Sequence, residues 1–336
     1  MSKRTFLRKV VVSTVILLII GIIALAKIVD YQISQPLNLT ENELLTLSSG
    51  TSFNQFTRQL VKLGAIDSKI WLKSYVKVFP EKGKIKAGTY QLTPQMSAKE
   101  VLALLCSGKE YQFSITFIEG STFKEWLAII KEHPHILHTL TTSDYGSVSS
   151  LLALDKPYPE GLFFPDTYLF TEKTSDIEIL KRAYEKMKTL LAQEWEARDE
   201  NLPYDSAYQA LIMASIIEKE SGQLAEHQII ASVFVNRLRK NMRLQTDPTV
   251  IYGLGERYKG DIKRVHLKEK TAYNTYRING LPPTPIAMPG KSAIYAAMHP
   301  ELTDYYYFVS QGNGKHIFST NLKEHNQAVT KYILNN

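Results

Sequence analysis

The hydrophobic pattern changes character several times along the chain. "VVVSTVILLIIGIIALA" (10–26) is apolar at almost every position, and its 17 or so residues span roughly 25 Å as a helix. With Lys27 snorkelling and Ile28-Val29 added, it is long enough to cross a bilayer. A polar linker around "DYQISQPLNLT" follows, and then "SSGTSFNQFTRQLVKLGAI" reads as a turn and an amphipathic helix with Phe53, Phe56, Leu60 and Leu63 on one face. The same pattern returns 70 residues later in "IEGSTFKEWLAIIKEH", which aligns Gly50 with Gly120 and Phe53 with Phe123. Between the two, "IKAGTYQLTPQMSAKEVLALLCSG" predicts a strand, a turn and a helix capped at Ser97, with Glu100 three residues on.

The aromatic stretch "YPEGLFFPDTYLF" (158–170) is irregular and punctuated by proline, as expected of a loop joining two domains or walling a cleft. Beyond it the period becomes helical. "SDIEILKRAYEKMKTLLAQEWEARDE" predicts a long helix with a charged outer face. A second helix is expected from an N-cap at Asp205 to Ser221-Gly222, and a third in "AEHQIIASVFVNRLRKN". "YYYFVSQGNGKHIFST" reads as two strands around a Gly-Asn-Gly turn, and "NLKEHNQAVTKYIL" as a closing helix. Helices with small antiparallel sheets make the expected class α+β. The domains expected are a tip and transmembrane anchor (1–30), a linker (31–43), a region of small βα units (44–110), and a mixed α+β region (111–336) whose core starts near 173.

The formal charge of +7 suggests a polyanion partner until it is located. Lys3, Arg4, Arg8, Lys9 and Lys27 precede residue 28 with no acidic residue among them, which leaves +2 for the remainder. Nucleic acid is therefore not expected as a partner. The basic N-terminus instead predicts a cytoplasmic tip, with everything after residue 30 on the other side of the membrane. Cleavage after Ala24-Leu25-Ala26 is the competing reading, and the length of the apolar run favours a retained anchor. The one cysteine, Cys106, lies in an apolar run and is expected to be a buried structural thiol.

There is no G-x-S-x-G elbow, P-loop, H-E-x-x-H or cysteine pair, and nothing indicates a metal or organic cofactor. Chemistry is more readily sought in "ASIIEKESG" (214–222), where an apolar helix ends in two glutamates. Residues two apart on a helix face about 200° apart, so Glu218 and Glu220 must point in nearly opposite directions. Glu218 shares its face with Leu211, Ala214 and Ser215, whose small side chains would leave room for a ligand. A carboxyl at the C-terminal end of an apolar helix is desolvated and set against the helix dipole, and both effects favour the neutral form a general acid needs. The bland alternative is a solvated helix end. Asp247-Pro248 reads as an N-cap with proline following, and "TAYNTYRINGLPPTPIAMPG" supplies the aromatic faces and amides that suit a sugar, or an ordinary rigid loop.

The stretches "EGLFFPDTYLF", "ASIIEKES", "VFVNRLRKNMRLQTDPTVIYGLGERY", "TAYNTYRINGLPP" and "YFVSQGNGKHIFSTNLKEHNQAV" resemble the MltG (YceG-like) family of endolytic murein transglycosylases, and the likeness covers nearly the whole chain. The resemblance implies a single-pass inner-membrane enzyme with a LysM-like glycan-binding region and a catalytic domain in the periplasm. Such an enzyme cleaves nascent peptidoglycan strands, terminating their elongation with 1,6-anhydro ends. By the same resemblance Glu218 is the catalytic residue, Gln245, Asp247, Tyr252, Tyr273, Asn274 and Tyr276 line the glycan cleft, and Glu220 is secondary. Glycan strands and the membrane are the implied partners, with peptidoglycan synthases as further candidates. Thr284-Pro285 and Met288-Pro289-Gly290 depart from the family's usual Gly-Pro and Asn-Pro-Gly, which bears on cleft shape more than on chemistry. A water-using muramidase and a non-catalytic glycan-binding scaffold are the alternatives.

Overall fold

The computed structural model describes residues 3–140, 144–312 and 314–334, with side chains from residue 6, so Asn313 of the expected Gly-Asn-Gly turn lies outside the described residues. The chain divides into two compact units, residues 1–113 with 170–172, and residues 114–169 with 173–336.

The first unit begins with α1 (Lys3–Ile33). This helix runs past the expected anchor end at residue 30, and on one face of its C-terminal end Val29 and Ile33 are buried. Part of the expected linker is therefore helix. β1 (Glu43–Leu47), α2 (Phe53–Lys62), α3 (Ile70–Val78), β2 (Gly88–Leu92) and α4 (Ala98–Ser107) follow, and β1 pairs antiparallel with β2, Leu45 opposite Tyr90. The core is formed by Ile33, Leu45, Leu47, Phe56, Leu60, Leu72, Tyr90, Leu92, Val101 and Leu105. Cys106 is half-buried, and its thiol donates to the Lys82 carbonyl 3.3 Å away.

The second unit opens with β3 (Phe113–Thr116) and α5 (Phe123–Glu132), then α6 (Tyr145–Leu152) and β4 (Thr167–Phe170), which pairs with β3. The repeated "GTSF"/"GSTF" motif has a clear local cause. Gly50 and Gly120 both adopt left-handed backbone, with φ +82° and +74°, and let the chain turn into α2 and α5. Each helix then starts with a reciprocal capping box, Ser52 with Gln55 and Thr122 with Glu125. Ser97 and Glu100 make the expected third one. Thr122→Ala should cost about 1 kcal/mol of the second unit's stability, measurable as a lower urea midpoint.

The remaining elements are α7 (Asp176–Ala197), α8 (Ala207–Glu220), α9 (His227–Arg239), α10 (Asp247–Leu254), α11 (Arg264–Lys268), α12 (Lys291–Met298), the strands β5 (Tyr307–Ser310) and β6 (His316–Ser319), and α13 (Leu322–Val329). α8 is the central helix. Every residue from Ala210 to Ile217 is buried, with α7, α9, α10 and α12 packed around it, as its all-round apolar sequence requires. Its N-cap is Ser206, whose hydroxyl accepts the Gln209 N–H, one residue beyond the expected Asp205. β5 and β6 form the expected antiparallel hairpin, with Phe308 opposite Phe318.

Candidate active site

The two glutamates that end α8 have separate surroundings. Ile286 donates its N–H to the Ser215 hydroxyl (3.0 Å), and Gly290, the N-cap of α12, donates its N–H to Glu218 Oε2 (2.9 Å). The space that Ala214 and Ser215 were expected to leave for a ligand is thus taken by the chain from Ile286 to Gly290. A carboxylate at a helix N-terminus is in a favourable field, and here it ties α8 to α12. Burial raises the Glu218 pKa, the Gly290 N–H opposes that shift, and Glu119 adds to it.

Glu119 was not singled out in the sequence. It lies on the other side of the same glycine, where a Cβ on Gly290 would come 2.0 Å from Glu119 Oε1. A side chain at Gly290 would therefore have to displace the exposed Glu119 carboxyl.

Glu220 faces the opposite way, into a cavity of about 340 Å³. Thr246 donates its hydroxyl to Glu220 Oε1. Thr246, not Asp247, is the N-cap of α10; its hydroxyl makes no cap bond and is turned toward Glu220. Burial pushes the Glu220 carboxyl up to about 7; the Asp247 charge adds to this, and Thr246 and the more distant Arg237 oppose it. Gln245, Asp247 and Tyr276 line the same cavity, and the Tyr276 hydroxyl donates to Asp247 Oδ1 at 2.7 Å. Gln245 adopts φ +53°, a left-handed conformation uncommon for a residue with a side chain. Tyr307, Phe308 and His325 complete the wall with rings.

Arg237 organises the rim and was also not anticipated. It projects from α9, donates to the Tyr306 carbonyl (2.6 Å) and the Leu244 carbonyl (2.7 Å), and lies 5.1 Å from the centre of the Tyr307 ring. It therefore fastens the Gln245 loop to β5. An arginine on an otherwise buried helix face is the signal that could have marked it.

Three of the expected cleft residues lie elsewhere. Tyr252 and Tyr273 pack ring to ring at 5.0 Å, and the Tyr252 hydroxyl donates to Glu160 Oε2 at 3.1 Å. Glu160 is fully buried, also accepts the Phe123 N–H at 2.9 Å, and is pushed up by burial to about 7. Asn274 is wholly buried, and its amide donates to the carbonyls of His266 (3.0 Å) and Glu269 (2.6 Å). It shapes the loop and presents nothing to a ligand. Gln245, Asp247 and Tyr276 therefore gather on the Glu220 side of α8, because a 200° turn of the helix puts α9, α10 and β5 on one side and the N-terminus of α12 on the other.

The Glu220 environment has a measurable consequence for stability. A carboxyl whose folded pKa is about 7, against an ordinary value of 4.5, binds its proton more tightly when folded, so it favours the native state at low pH and loses that contribution as pH rises between the two values. Glu220→Gln stays neutral throughout. It should melt higher than the parent above about pH 7 and match it below about 4.5, as followed by circular dichroism.

Known proteins bear on this geometry. A protein of Bacillus subtilis named endolytic murein transglycosylase is 34% identical over 86% of this chain and 84% of its own length. A Streptococcus pneumoniae protein of the same name is 25% identical over 89% of this chain, which spans 60% of that longer relative. The crystal structure of a yceG-like protein from Listeria monocytogenes superposes with a TM-score of 0.52 at 30% identity, covering 86% of this chain and 99% of that one. The profile described as YceG-like matches residues 45–331, and with these relatives it establishes that the chain belongs to the YceG-like family.

Proposed function

We propose that this chain is an endolytic peptidoglycan lytic transglycosylase, with Glu220 as its acid and base. The observation that carries the assignment is a carboxyl pushed up to about 7 at the wall of a cavity lined by Gln245, Asp247 and Tyr276. A group with that pKa is substantially protonated near neutral pH and can also work as a base.

Glu220 donates its proton to the oxygen joining C1 of N-acetylmuramic acid to C4 of N-acetylglucosamine, and the C1–O bond breaks. The carboxylate then takes the proton of the same muramic residue's C6 hydroxyl as that oxygen bonds to C1. Glu220 ends as it began, and the strand ends in a 1,6-anhydro sugar. Attack from within one residue has a high effective molarity, so no water is consumed. Asp247 contributes negative charge beside the carbon where positive charge develops. Its bond from Tyr276 holds it there. Two-carboxylate hydrolases use the second one to activate water or to attack C1 directly, whereas here the substrate supplies the nucleophile.

The first unit, with its strand–helix–helix–strand order and capped helices, is read as a LysM-like glycan-holding region. α1 contains an apolar stretch, Phe6–Ile33, long enough to cross a membrane. With the basic residues before Val10 on the cytoplasmic side, the catalytic unit acts on nascent strands outside the cytoplasm. There it terminates their elongation beside the synthases that make them.

Purified protein incubated with uncrosslinked glycan strands tests the reading by mass spectrometry of the new ends. Internal cuts with 1,6-anhydro ends are expected. Reducing ends in their place would make the protein a muramidase, and intact strands that still bind would make it a scaffold.

A further inference from the structure

α1 enters the first unit without a linker. Val29 and Ile33 are buried, and Asp30 pairs with Lys99 of α4 at 2.7 Å. The tilt of this unit against a bilayer is therefore set by α1 itself. α3 packs beside the C-terminal part of α1, and an apolar groove of about 880 Å³ opens between them. Ile22, Ile23 and Val29 form one wall, and Tyr75, Val78 and Phe79 the other. Val78 is 70% exposed and Phe79 45%, large apolar side chains that fold into no core.

The depth of this groove follows from helix geometry. A hydrocarbon core of about 30 Å takes roughly 20 helical residues, the length of the stretch from Val10 to Val29, in which Lys27 is the one charged residue. Ile22 and Ile23 then lie inside the hydrocarbon, and the groove they wall begins at membrane depth. The chain around α3 has a charge to match. Lys69, Lys73, Lys77, Lys82 and Lys84 lie within 16 residues that contain one acid, Glu81. Apolar and aromatic side chains set among lysines are the composition of an interfacial anchor on an anionic lipid surface.

We propose that the C-terminal end of α3 is a second membrane contact, with Val78 and Phe79 seated at the boundary between headgroups and acyl chains. An acyl chain fills the groove against α1, and the lysines meet anionic headgroups. This rests on α1 being a membrane span and is independent of the transglycosylase reaction. Two contacts, one spanning and one interfacial, fix the rotation of the first unit about α1, which a single helix leaves free.

The test uses the full-length protein with Cys106→Ser, reconstituted into phosphatidylcholine vesicles with or without phosphatidylglycerol. An environment-sensitive fluorophore is placed by Val78→Cys, by Ile16→Cys within the span, or by Leu302→Cys as an exposed control. The quencher is a lipid carrying a nitroxide close to its headgroup. The proposal expects the Val78 label to shift to the blue and lose most of its emission, more so with phosphatidylglycerol, while the Leu302 label is unchanged. Lys77→Gln, Lys82→Gln and Lys84→Gln combined should remove the phosphatidylglycerol dependence and leave quenching in neutral vesicles. A water-exposed Val78 label beside a buried Ile16 label overturns the proposal and spares the anchor. Exposure of both overturns the two together. A Val78 label shielded from iodide but out of reach of the lipid quencher would place a second copy of the chain on this face, and equal quenching in both vesicles would overturn the anionic preference.

Discussion

Glu220→Gln is expected to abolish formation of 1,6-anhydro ends while the protein stays folded and still binds glycan. The amide keeps the size of the carboxyl and can still accept the Thr246 hydroxyl, but it can neither deliver a proton to the leaving oxygen nor take one from the C6 hydroxyl. General acid–base groups contribute about 10²–10⁴-fold, and one group serving both steps puts the loss at the upper end. Glu218→Gln is the discriminating companion. Its amide can still accept the Gly290 N–H through its oxygen, so it should retain most of its turnover and lose only about 1 kcal/mol of stability with the weakened contact to α12. Anhydro yield from uncrosslinked strands, with circular dichroism of each variant, separates the two. Loss of activity in Glu218→Gln with an active Glu220→Gln would return the catalytic role to the glutamate that the family resemblance first marked.

Trp126→Ala should have the largest effect on stability. Trp126 is fully buried on α5, stacks on Phe117 with ring centres 3.8 Å apart and planes 6° from parallel, and donates its indole N–H to the Ser121 hydroxyl at 2.7 Å. Removing an aromatic ring of this size from a closed core costs about 3–5 kcal/mol. The cost also reaches the chain beside the acids, because Ser121 and Gly120 exchange backbone hydrogen bonds with Met288 (2.8 Å each) next to the Glu119–Gly290–Glu218 group. Trp126→Phe keeps most of the volume and removes the donor, so it should lose about 1–3 kcal/mol. Urea unfolding gives both numbers, and a Trp126→Ala midpoint equal to the parent's would show that this cluster is not a cooperative part of the core.

Much of the fold could be read from local pattern. The recurring Gly-x-Ser/Thr-Phe turns, the capping residues Ser52, Ser97 and Thr122, the apolar α8 and the β5–β6 hairpin each depend on neighbours within a few residues, and each is where periodicity and capping put it. The misplacements were short-range: an N-cap at Ser206 instead of Asp205 and one at Thr246 instead of Asp247, where the hydroxyl serves a distant partner and not the helix.

The site was legible only in part. That two glutamates two residues apart must face opposite ways follows from the helix alone. Which side holds the cleft depends on what packs there, and that is a matter of residues far along the chain: Gly290 lies 72 residues from Glu218, and Thr246 lies 26 from Glu220. The same long separations hide Glu160, buried by its bond from Tyr252, 92 residues away, and Arg237, anchored to Tyr306, 69 residues away. By itself the sequence determined the helices, the turns, the apolar span and the pair of candidate acids, because hydrophobic period, glycine conformation and capping act between near neighbours. The tertiary structure alone decided which acid lies against a helix N-terminus and which lies at a cavity with its carboxyl pushed up to about 7, because desolvation and charge are set by whatever the fold brings within a few ångströms.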